Sequence, residues 1–274
     1  MKLHTVPALQ GVQWVRHGFT IFFRRPLAFS GMFAAFMFGV LLMMLVPFLG
    51  PLLLLAALPL MSLAFMLATH TALRGLFPVP TLFALPLRSG RSRLHSQVKL
   101  GLIYAGLTVV VMWLGDVLDG GTFDALQDAM AGGDATGDKL AELMGDGRLQ
   151  FGMLARLVLA SLLSVPFWHA PALVHWGDVS VGKALFASTV ACWRNRGAFV
   201  WYALTWAGLI VIFGLLANVL FALLGRPELI AIAATSGGLL FTTVFYTSLY
   251  FTFAACFGAP VKVEPAANPP ATTL

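Results

Sequence analysis

Apolar positions along this chain neither alternate nor mark one face of a helix. They run on without polar interruption for about 20 residues at a time, the length an α-helix needs to cross a bilayer core. Six stretches meet that length: Leu27 to Val46, Phe48 to Leu73, Val98 to Leu118, Phe151 to Trp176, Ala198 to Leu224 and Leu229 to Phe257. Backbone polar groups in lipid must be satisfied within their own segment, so each stretch predicts a helix. A transmembrane barrel would alternate polar and apolar residues, and these runs do not. The predicted fold is an all-α integral membrane protein with six transmembrane helices in three hairpins.

Between the runs the pattern changes. Leu9 to Arg25 places Val12, Val15, Phe19, Phe22 and Phe23 at helical spacing, with Arg16, His17, Arg24 and Arg25 among them. It predicts an amphipathic lead-in lying in the membrane interface. Val181 to Arg196 repeats the pattern with Leu185, Phe186, Thr189, Cys192 and Trp193, while the middle lead-in, Pro80 to Lys99, is more basic and less periodic. Arg24-Arg25-Pro26-Leu27-Ala28-Phe29 matches Arg194-Asn195-Arg196-Gly197-Ala198-Phe199 at three of six positions. The outer two hairpins thus read as a repeat, or as convergence of basic-flanked hairpins.

Composition supports the membrane reading. Of 274 residues 59% are apolar and 10% charged, against about 25% charged in a soluble domain. The mean hydropathy is +0.88. This excludes a soluble enzyme and a disordered chain. The net charge of +6 does not indicate nucleic acid, because the basic residues are dispersed between apolar segments.

Their placement sets orientation. Lys2, Arg16, Arg24, Arg25, Arg74, Arg88, Arg91, Arg93, Lys99, Lys183, Arg194, Arg196 and Lys262 fall on one side, thirteen of the 17 basic residues. The other side holds Lys139, Arg148 and Arg226. Both termini are therefore expected in the cytoplasm, with anionic lipid headgroups as partners of that face. Eight of the 11 acidic residues lie between Asp116 and Asp146. Residues 119–148 are expected to form an acidic extracytoplasmic loop that offers a protein docking site, with short amphipathic helices around Phe123, Leu126 and Met130 and around Leu140, Leu143 and Met144. Residues 1–257 read as one membrane domain and 258–274, rich in proline, as a disordered cytoplasmic tail. No cleaved signal peptide is expected. Cys192 and Cys256 form no CxxC motif and read as reduced thiols.

Ionisable and polar groups at membrane depth are the candidate site. Pro166 to Trp176 combines Pro166, Trp168, His169, Pro171, His175 and Trp176. Each proline frees a carbonyl. The stretch reads as a ligand site centred on His169, or as an aromatic belt at headgroup level with His169 bonded to a neighbouring helix. Haem would need histidines converging from different helices. The six-residue spacing of His169 and His175 does not put them on one face, and neither haem nor any other cofactor is expected. Arg156 is placed to pair with Asp116 or Asp119, or to snorkel. Asn218 reads as a helix-packing residue. Thr243, Tyr246, Thr247 and Tyr250 form a hydroxyl stripe that lines a polar path or glues helices. No metal-ligand cluster, phosphate loop or catalytic motif is present.

Three segments carry a resemblance: Pro166-Phe167-Trp168-His169-Ala170-Pro171, Ala191 to Phe199, and Phe245 to Phe253. They resemble a family of inner-membrane proteins from Burkholderia-type betaproteobacteria. The likeness runs from Thr5 to Phe257. It implies a bacterial inner-membrane location and no catalysis. The hairpins are also loosely similar to the membrane domain fused to some glycerophosphodiester phosphodiesterases, whose hydrolytic domain this chain lacks. The expected function is a non-enzymatic scaffold or regulator of a membrane complex; alternatively, a small transporter or lipid-handling permease.

Overall fold

The computed structural model describes residues 2–88, 90–131, 142–226 and 228–258. Among them every element is helical. The order is α1 (Gln10–Arg24), α2 (Pro26–Met44), α3 (Leu49–Leu73), a 3-10 turn (Pro80–Phe83), α4 (Leu85–Arg88), α5 (Arg91–Asp119), α6 (Thr122–Ala131), α7 (Gly147–Phe167), α8 (Ala170–Gly177), α9 (Val181–Arg194), α10 (Arg196–Leu223) and α11 (Leu229–Phe257). Six units are long and apolar enough to cross a membrane: α2, α3, α5, α7 with α8, α10 and α11. The six predicted runs fall on these units. The predicted tail beyond residue 258 and the loop stretch 132–141, with Leu140, lie outside the described residues.

Hydrogen bonds gather alternate helix ends. Arg25 Nη2 donates to Gly75 O at 2.6 Å, joining the start of α2 to the exit of α3. Gln97 Nε2 donates to Pro171 O at 2.9 Å, joining α5 to α8. His4 N donates to Cys256 O at 2.8 Å. Asn195, between α9 and α10, accepts from Val6 N at 2.8 Å and donates to His4 O at 3.1 Å. The arginines and lysines of the lead-ins lie at this end, called the basic end below. The opposite, acidic end carries α6 and the α2–α3 and α10–α11 turns.

Burial follows this axis. In α2 only Ala28 to Phe33 supply buried residues, and in α10 only Ala198, Tyr202 and Trp206. In α11 the buried set is Gly237 and then Thr243 to Phe257. The bundle is close-packed near the basic end, where α11 is shared by two apolar clusters. One joins it to α3, α8 and α9, the other to α1, α2, α3 and α10. Toward the acidic end the outer helices splay.

The first lead-in, α1, docks on α10 and α11. Its buried face is Gly11, Trp14, Val15, Gly18, Ile21 and Phe22, whereas Phe23 is exposed. The cause is two glycine notches one above the other. A Cβ at Gly11 would overlap Ala198 O, and one at Gly18 would sit 2.7 Å from Ser248 Cβ. Small residues let helix backbones approach closely in lipid. The breaks after α1 and α9 fall at Arg25 and Asn195, equivalent positions of the two matching hexapeptides.

Candidate functional site

The fourth span breaks at Trp168-His169, between the two prolines and not at either of them. In an unbroken helix His169 N–H would donate to Val165 O. Here the Ser188 hydroxyl is inserted between them: His169 N donates to Ser188 Oγ at 3.0 Å, and Ser188 Oγ donates to Val165 O at 2.9 Å. A side chain entering the backbone ladder is an established cause of kinks. The break turns Trp168 and His169 inward. Trp168 Nε1 donates to Thr252 Oγ1 at 3.1 Å, and its ring meets those of Phe199, Tyr202 and Phe245 edge-on. Trp168 is half-buried, its ring turned toward α10 and α11. His169 is fully buried among Phe199, Phe253 and Phe257, and neither ring nitrogen has a hydrogen-bond partner. The expected bond from His169 to a neighbouring helix is not made by its side chain. His175 is buried and its ring meets Trp176. His70 packs on Trp176 and Tyr250. Among the described residues no group of three or more His, Cys, Asp or Glu is placed to hold a metal.

The hydroxyls of α11 are mostly spent within the bundle. Thr243, Thr247 and Tyr250 are buried. Thr69 Oγ1 donates across to Thr247 O at 3.0 Å, while Thr243 Oγ1 and Thr247 Oγ1 bond to carbonyls of their own helix. Tyr202 Oη and Ser248 Oγ are 2.6 Å apart. Tyr246 differs, because its side chain walls two cavities.

The larger cavity, of about 740 Å³, separates α10 from α11. Tyr202, Trp206, Ile210, Phe213 and Asn218 line it from α10, and Ile230, Ala234, Gly238, Phe241, Phe245 and Tyr246 from α11, with Trp168 closing its inner end. Tyr202 to Asn218 spans about 24 Å of helix at 1.5 Å per residue, most of a core about 30 Å thick. Small residues leave the space open: a Cβ at Gly214 or Gly238 would meet nothing within 4 Å. Asn218 does not pack against another helix through its amide; Nδ2 donates to Gly214 O at 2.9 Å. The smaller cavity, about 210 Å³, lies among α3, α5, α7 and α11. It shares Trp168, Phe245 and Tyr246 with the larger and is lined also by Ser62, Tyr104 and Ser164. Trp206, Tyr104 and Ser164 had no sequence signal to separate them from ordinary packing residues.

At the acidic end Arg156 of α7 meets two carboxylates of α5. Nη2 lies 2.5 Å from Asp116 Oδ1 and Nη1 2.5 Å from Asp119 Oδ2. Asp119 is fully buried. Glycines make room: a Cβ at Gly115 would overlap the Arg156 side chain, and one at Gly152 would sit 2.5 Å from Asp119 Cβ. The guanidinium also lies 4.5 Å over the Phe123 ring of α6. Cys192 and Cys256 are free, buried thiols. Burial, reinforced by neighbouring Cys256, pushes the Cys192 thiol up to about 12, so it stays protonated and unreactive at neutral pH.

Six helices long and apolar enough to cross a membrane, with no strand among the described residues, define the class: an all-helical multi-pass membrane protein. The chain is 33% identical over 261 residues, 94% of each protein, to a probable inner membrane protein of Burkholderia thailandensis. It belongs to that protein's family. No protein-family model and no solved structure matches it.

Proposed function

We propose that this is a non-enzymatic, lipid-handling protein of the bacterial inner membrane, with both termini in the cytoplasm, that accommodates one lipid chain between α10 and α11. The observation that carries the reading is the cavity of about 740 Å³ along those helices. Its volume is that of a ligand site, and its walls are apolar along a path as long as a hydrocarbon tail. The basic end supports the orientation, and its lead-in arginines suit anionic headgroups. A non-catalytic role is favoured by the polar groups at depth: the hydroxyls of Thr69, Thr243, Thr247 and Ser248 are bonded within the bundle, and His169 sits in an aromatic cage. A second reading, a scaffold or regulator of a membrane complex, is favoured by exposed Asp124 and Asp128 on α6.

Native mass spectrometry from nanodiscs tests the two together. One retained lipid is expected on the wild type. Gly238→Trp, which fills open space, should lower its occupancy about tenfold, equivalent to about 1.4 kcal/mol. Equal occupancy in both would sink the lipid reading, and a co-released polypeptide lost with the acidic loop would favour the scaffold.

A further inference from the structure

The two cavities share the lining residues Trp168, Phe245 and Tyr246. The larger is long and mostly apolar, its hydroxyls those of Tyr202, Thr242 and Tyr246. The smaller is short, and four hydroxyl-bearing residues line it: Ser62 and Ser164, with Tyr104 and Tyr246. Among the described residues no charged one lines either cavity. Resting on the lipid reading above, we infer that the ligand is an uncharged long-chain lipid alcohol, its tail between α10 and α11 and its hydroxyl head in the small cavity beside Tyr104 and Ser164.

A lipid tail explains the larger space, and the smaller space selects the head. Ser62 Oγ already donates to Pro59 O at 2.8 Å, and Ser164 Oγ to Ser161 O at 2.7 Å. Their protons are spent, and their lone pairs remain to accept. A phenol O–H donates as well as accepts. A lipid hydroxyl satisfies both kinds of partner, donating to a serine and accepting from a tyrosine. A phosphate head brings charge to a place with no cation, where burial of an unpaired ion is strongly disfavoured. The nearest span-embedded cation named above, Arg156, is held by two carboxylates at the acidic end.

The probe is tritiated oleyl alcohol on the purified full-length protein, competed by unlabelled oleyl alcohol or by oleyl phosphate, which differs only in the charged head. Saturable binding is expected, with oleyl alcohol the better competitor. Tyr104→Phe with Ser164→Ala should weaken alcohol binding about tenfold, as loss of one or two buried hydrogen bonds predicts, and should erase the preference over the phosphate. Gly238→Trp should abolish binding of both. Loss in Gly238→Trp with the preference intact in Tyr104→Phe/Ser164→Ala overturns the head assignment and leaves the lipid reading standing. Equal competition by the phosphate also overturns it. Binding unaffected by Gly238→Trp overturns both.

Discussion

The two ends of this bundle are built on different principles. At the basic end helices are locked by shape: Trp14, Phe29, Phe65 and Phe253 are fully buried, and glycine notches seat α1 on α10 and α11. At the acidic end the outer helices turn apolar side chains to the lipid on nearly every face. There the described polar tie between spans is Arg156 with Asp116 and Asp119, between α5 and α7. Lipid tails are as apolar as leucine, so nothing hydrophobic drives splayed helices together. Close packing must be specified residue by residue, and where it is not, space opens. The cavity between α10 and α11 is that unspecified space.

The sharpest way to break the comparison is to remove packing at the basic end. Trp14→Ala deletes a fully buried ring in contact with Phe199 and Tyr202. It should cost about 4 kcal/mol, the cost of a large cavity in a close-packed interior. Thermal unfolding in detergent should show a clearly lowered midpoint. A midpoint within error of the wild type would mean that α1 is not part of the folded bundle.

Next in size is the polar clamp. Arg156→Gln leaves the fully buried Asp119 without its cation, worth about 3 kcal/mol or more. Arg156→Met with Asp119→Leu should recover most of that loss, because an apolar pair of similar volume replaces a desolvated ion pair at little cost. If the single and the double variant are equally destabilised, the clamp acts through shape and not through charge.

The six spans could be read in advance because their signal is length and hydropathy, which are local. Much of the candidate site could not. Pro166 and Pro171 marked a broken helix, but the break is made by the hydroxyl of Ser188, which no local pattern connects to Val165. Trp168 and Trp176 carry the composition of an interfacial belt, yet Trp168 turns inward because that break rotates it. The docking of α1 had a trace in Gly11 and Gly18, seven residues apart on one face, hidden behind an amphipathic pattern that equally suits an interfacial helix. The cavity had none. It arises from what Gly214, Ala217, Ala234 and Gly238 fail to fill, and small residues in an apolar run also mark close helix contacts.

The smallest effect belongs to the surface the comparison assigns to lipid. Leu216 on α10 is 65% exposed, pointing out of the bundle. In water, leucine to alanine at a buried position costs about 2 to 5 kcal/mol. Here the leucine side chain exchanges one hydrocarbon neighbour for another, so Leu216→Ala should change stability by less than about 0.5 kcal/mol. The same leucine to alanine change at Leu63, fully buried in α3, is the matched control. A large loss at Leu216 would place that face against protein, and α10 would then be an interface and not a wall of the bilayer.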